Sequence, residues 1–367
     1  MAPGAGTPVA RSGRYARAHR LFFPLAAAYS AAAVPLWWAE WAGWLPAGSS
    51  ARHGHEMLLG FAGAVLAGYL FTKVTRAALL LAALCWATAR LAAWTEPGGW
   101  VETAATLAFP LILFALGGWP FLKAARAGRN LVFGPAIAAF AVAEAVYQLG
   151  RAGLVAGGER QGALMAFDLV ALMILVMGGR VIPAAMAGLV RREESRELFH
   201  RNGPRLELAS VAGMASAFLC HALAKPDGIA AAGMALAGGA AMVRHARWRP
   251  ELALRDPSMG PIQAGYVLLC VGLVLSPLLP GPDILHLATV GGIGIVTSAM
   301  MLRITHIRER APAPMPAAAV PIAAVLAVAA VVRAGASLAP AILIPASAAL
   351  WSAAFLGLAA ALVRVWR

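Results

Sequence analysis

A chain of 367 residues that is 61% hydrophobic and 13% charged, with a mean hydropathy of +0.74, is not a soluble globular domain; this is the composition of a polytopic membrane protein. The formal charge of +14 would suggest nucleic acid in a soluble chain. Here the bases lie between apolar runs without the basic–aromatic interleaving of RNA-binding segments, so they are read as topology signals. The expected partner is the lipid bilayer, and no nucleic acid.

Arg11, Arg14, Arg17 and Arg20 precede the first apolar run, like the basic start of a signal peptide. The run continues through Trp37, Trp38 and Trp41 to Leu45, too long for a cleaved segment, and is read as an uncleaved first span. Apolar windows of roughly 20 residues predict twelve transmembrane helices: 21–45, 55–74, 77–95, 101–122, 131–150, 163–186, 206–224, 228–246, 261–280, 284–304, 316–334 and 338–363. Turn residues fill the breaks, as in Glu96-Pro97-Gly98-Gly99 and Lys225-Pro226-Asp227-Gly228. The expected fold is an all-α bundle with both termini in the cytoplasm. Residues 1–20 form a basic tail and 21–367 one transmembrane domain. Its candidate halves, 21–190 and 206–367, are joined by the cytoplasmic connector 191–205. With that orientation Lys and Arg divide 23 to 6 in favour of the cytoplasmic side, Arg180 lying within a span. This is the bias of an inner-membrane protein. Ala311 to Pro316 reads as a short stiff linker. Cys85, Cys220 and Cys270 fall in apolar runs without paired spacing and are read as buried free thiols.

The costly residues come next. His53-Gly54-His55-Glu56 opens the second span, where a loop enters an apolar run without charge until Lys73. Titratable groups at such a mouth are expensive and usually functional. On the same outer side the topology places Arg90, Glu144, Asp168, His221 and His286. Four of the eight histidines thus gather at one membrane face. Histidine is the common ligand of haem iron and copper, and bundles build such sites from several helices. The glycines after His55 and His286 either let helices approach closely or leave room for a flat macrocycle. On the inner side, Arg180 sits about one and a half turns inside the sixth span and requires an anionic partner. His306 lies twenty residues beyond His286, roughly 30 Å along a helix, so the two cannot bind one iron. The second, sixth and tenth spans run in the same direction, each from a polar residue (His55, Asp168, His286) to a base (Lys73, Arg180, Arg303). Nucleotide-binding and serine-nucleophile motifs are absent.

Several blocks in order carry a resemblance. These are His53-Gly-His-Glu-Met with the helix behind it, Arg129-Asn130-Leu131, Gly178-Gly-Arg-Val-Ile-Pro183, and Leu285-His-Leu-Ala-Thr-Val-Gly-Gly-Ile-Gly294 followed by Arg303. Together they resemble the NnrS family of bacterial inner-membrane proteins. The resemblance implies twelve helices, haem (haem b) and copper, and a link to denitrification, nitric oxide and nitrosative stress. His55, Glu56, Arg180, His286 and His306 occupy its motif positions. Two histidines of the pattern are replaced, by Gln148 and by Gln263. The expected axial ligands are His55 and His286, with Glu56 supporting them and His53 or His221 as alternative or copper ligands. The alternative function is a metal-free transporter or permease that uses Glu144, Asp168 and Arg180 as pathway charges.

Overall fold

A computed structural model describes residues 15–46, 50–95, 97–124, 132–192, 203–225, 227–251, 259–279, 281–309 and 318–366. Most of the basic tail, the Arg129-Asn130-Leu131 loop, most of connector 191–205 and the Pro-rich linker 311–316 lie outside these residues. All regular structure among the described residues is helical. In chain order we number α1 Ala18–Trp41; α2, in which Ser50–His55, Glu56–Phe61 and Ala62–Leu70 run on without a break; α3 Arg76–Thr95; α4, likewise continuous from Trp100–Leu113 through Phe114–Gly118 to Trp119–Ala124; α5 Phe133–Arg151; α6 Gly158–Arg192; α7 Pro204–Ala222; α8 Asp227–Ala246; α9 Gly260–Leu275; α10, Leu287–Gly294 continued by Ile295–Glu309; α11 Ala319–Ala334; and α12 Pro340–Arg364. Eight of the described helices are long and apolar enough to cross a membrane, and α9 and α11 are shorter apolar helices. Leu80, Leu84, Leu91, Val328, Val331 and Leu356 are exposed on the outside of the bundle, as a lipid-facing surface requires.

One boundary differs from expectation in a way that matters. Helix α2 begins at Ser50, not near 55, so His53, His55 and Glu56 lie inside a helix and not at a loop mouth. Rotation about the helix axis therefore decides what each of them faces.

Most helices pack on their neighbours in sequence, and α1 closes the arrangement against α12. At that seam Trp351 donates its indole N–H to the Ser30 hydroxyl at 3.0 Å, and the Ser352 hydroxyl donates to the Ala31 carbonyl at 2.8 Å. Arg17 and His19 meet Glu309 at 2.7 Å each, and Arg20 joins them, tying the start of α1 to the end of α10. Arg308 in turn donates to the Gly68 and Tyr69 carbonyls at the end of α2, which an apolar surrounding would leave unsatisfied.

Inside the arrangement stand α2, α6 and α10, the three spans in which the sequence runs from a polar residue to a base. Between them they supply most of the lining of both internal cavities. Their glycines serve close packing. A Cβ on Gly68 would lie 2.5 Å from the Phe23 ring, one on Gly292 2.6 Å from Leu269, and one on Gly294 2.7 Å from Trp351. Of the two uses open to these glycines, helix approach is the one realised. A tight backbone contact joins α7 and α8, where a Cβ on Gly213 would stand 2.4 Å from the Gly233 carbonyl oxygen, whereas Gly239 on α8 faces open space.

Gly213→Val is therefore expected to destabilise the detergent-solubilised protein by roughly 1–3 kcal/mol, seen as a lowered thermal midpoint. Gly239→Val serves as a control that leaves the midpoint unchanged.

Candidate functional site

Two polar centres lie back to back on the N-terminal half of α2. The first is a buried ionic network. His55 is 1% exposed; its Nδ1 lies 3.0 Å from Glu56 Oε1, and its Nε2 lies 3.0 Å from both carboxylate oxygens of Glu144 on α5. Arg90 on α3 donates to Glu56 Oε2 at 2.7 Å, and the Tyr29 hydroxyl on α1 donates to the same oxygen. Gln148 donates to Glu144 at 2.7 Å and to the Thr106 hydroxyl at 3.1 Å. The Tyr147 ring stacks on His55 with centroids 4.1 Å apart. Both ring nitrogens of His55 thus face carboxylates, and one of those carboxylates is also held by the Arg90 guanidinium. A buried group of charges survives only when its members are paired and hydrogen-bonded in this way.

The second centre is a cavity of about 380 Å³, within the usual size range of ligand pockets. His53 from α2 and His286 from the start of α10 both line it. Arg160 and Arg333 join them, with apolar walls from Phe61, Phe167, Ile293 and Trp351. The Trp37 ring lies over His53, with centroids 4.4 Å apart and planes at 32°. His286 Nδ1 donates to the Asp283 carbonyl at 3.2 Å, which selects the tautomer whose lone pair is on Nε2. Arg333 pairs with the Asp283 carboxylate and so braces the loop that orients His286. This is the arrangement by which a backbone carbonyl fixes a metal-ligating imidazole.

Both helices are π-wound where they line the cavity, α2 over Glu56–Phe61 and α10 over Leu287–Gly294. Such insertions are rare and frequent at functional sites. Neither was legible as a motif, since the i→i+5 bond has no residue signature.

The expected site residues are thus redistributed. His286 lines the cavity, as does His53. His55 and Glu56 face α1, α3 and α5 on the other side of α2 and do not line the cavity. Both nitrogens of His55 are engaged with carboxylates. His221 on α7 is buried, with Nδ1 2.6 Å from Asp168 Oδ2, and it lines neither cavity. Asp168 is fully buried, and its Oδ1 has no partner among the described residues. Arg180 is half-buried in the C-terminal half of α6, its guanidinium 5.0 Å from the Phe133 ring centre. His306 bonds the Leu302 carbonyl of its own helix at 3.2 Å. Gln263 accepts from His245 at 3.0 Å and donates to the Met186 sulfur at 3.1 Å. Both glutamines that replace expected histidines are therefore hydrogen-bonded inside the protein. The cavity-lining arginines carried no motif; Arg333 in particular reads as an ordinary base ending an apolar helix.

A helical membrane protein with an apolar cavity bearing two imidazoles near one face is the class that fold and site define. Within that class, the family model described as NnrS protein matches residues 15–366, nearly the whole chain, and the chain belongs to the NnrS family. No curated protein and no solved structure matches it.

Removing one member of the ionic network leaves a buried charge unpaired. Arg90→Leu and Glu144→Leu are each expected to cost roughly 3–5 kcal/mol, read as thermal midpoints in detergent, whereas His53→Ala stays near wild type. Unchanged midpoints for both network variants would show that the network does not hold α2 in place.

Proposed function

We propose that the chain is a twelve-span inner-membrane protein with both termini cytoplasmic, which holds haem in the 380 Å³ cavity and acts in nitric-oxide metabolism or resistance to nitrosative stress. The observation that carries this reading is the convergence of His53 and His286 on one apolar cavity together with two guanidinium groups. Family membership and the 23-to-6 division of basic residues support the setting.

The donor set suits a macrocycle that carries carboxylates. His53 and His286 would hold the iron, and Arg160 and Arg333 would face the propionates. When bound, haem supplies redox chemistry and affinity for diatomic gases. The chain's own residues do the rest. Asp283 sets the tautomer of His286, Trp37 restrains the His53 ring, and Phe61, Phe167, Ile293 and Trp351 keep water from the cavity walls. Copper is a different case. Among the described residues, no three His, Cys, Asp or Glu side chains gather as a metal site, so no residue is assigned to it. The transporter alternative has less support, because Glu144, Asp168 and Arg180 line neither cavity.

The visible spectrum of protein purified after expression with ample haem tests the reading. His53→Ala and His286→Ala are each expected to lose most of the Soret absorbance, while His221→Ala and His306→Ala retain it. A full haem complement in both cavity variants would end the assignment of ligands. The absence of a Soret band in the wild type would end the haem reading itself.

A further inference from the structure

A second cavity, of about 120 Å³, lies one helical turn further along the same three inner helices. On α2, Leu58 and Phe61 line the first cavity, and Ala62 and Val65 line the second. On α6 the lining passes from Phe167 to Val170, and on α10 from Ile293 to Val296. Steps of three or four residues are about one turn, so the two chambers are stacked, with Phe61, Phe167 and Ile293 at the boundary.

The walls of the second chamber are almost wholly carbon and sulfur, from Val65, Ile174, Met173, Met177 and Met300 among others. The hydroxyl of Thr297, which also lines it, is turned back on its own helix, donating to the Ile293 carbonyl at 2.7 Å and the Gly294 carbonyl at 3.1 Å. A water there would find almost none of the two to four polar partners it requires, whereas apolar space of this order suits xenon or small apolar molecules. Protein interiors are close-packed and such voids are few. The space is far too small for a macrocycle. Three thioethers add polarizable contact and the flexibility to shift aside for a passing molecule.

We propose that the second cavity is a holding site for one small uncharged gas molecule, which passes outward between Phe61, Phe167 and Ile293 into the histidine-lined cavity. The identification of that gas as nitric oxide rests on the function proposed above; the site itself does not.

Xenon is the probe. Crystals of the full-length wild type under xenon pressure are expected to show one anomalous peak bounded by Val65, Met173 and Met300. Val170→Phe and, as a second filling variant, Val296→Phe are expected to abolish that peak. In haem-loaded protein, the same variants are expected to slow carbon monoxide rebinding after photolysis several-fold. Ordered water or an acyl chain in the chamber, no xenon in the wild type, or unchanged rebinding in a xenon-excluding variant would each overturn the proposal. Xenon bound in a protein that takes up no haem would uphold the site and refute the haem reading instead, so the two failures are distinguishable.

Discussion

The clamp on His55 is the interaction from which the arrangement around the first cavity follows. Glu144 grips one ring nitrogen from α5, while Glu56, itself held by Arg90 of α3 and Tyr29 of α1, grips the other. Three helices thereby fix the rotation of α2. Successive α-helical residues are turned by about 100°, so pinning His55 to one side sends His53, two positions earlier, to nearly the opposite side. That side is the cavity. The ionic network thus aims a histidine it never touches.

This geometry explains both what could be read in the sequence and what could not. Hydropathy marked the helical segments because lipid imposes its length and polarity requirements locally. The cost of burying charge singled out His55, Glu56, Glu144 and Asp168. The sequence placed these residues at one face without pairing them; the fold pairs His55 with Glu144 and Asp168 with His221. The choice between His53 and His55 was not legible. It depends on where α2 starts and how it is wound, and a start at Ser50 with a π-wound stretch after His55 shifts the phase in a way that no residue pattern announces. Arg160 and Arg333 were hidden for a different reason. Their place in the cavity wall comes from the helices that the fold sets beside His286, and a lone base at a helix end looks the same whatever it faces.

The glycines teach a related lesson. Their spacing on α2 and α10 fitted either a flat ligand or a near neighbour. Gly60 meets the Arg90 guanidinium and Gly294 the Trp351 ring, so small residues let polar and aromatic groups reach the bundle interior. Space for a ligand comes instead from between the helices, where Gly54 is the one glycine of the cavity wall.

The seam between α1 and α12 has a consequence for biogenesis. Ser30 and Trp351 are separated by 321 positions, so the contact cannot exist until synthesis has passed Trp351. During translation the first helix must wait in the bilayer with its seam face, including the Ser30 hydroxyl, turned toward lipid or toward the insertion machinery. Closure by the two ends of the chain makes the last helix the keystone of assembly. Truncation from the C-terminus would therefore strand the first helix as well as remove the last.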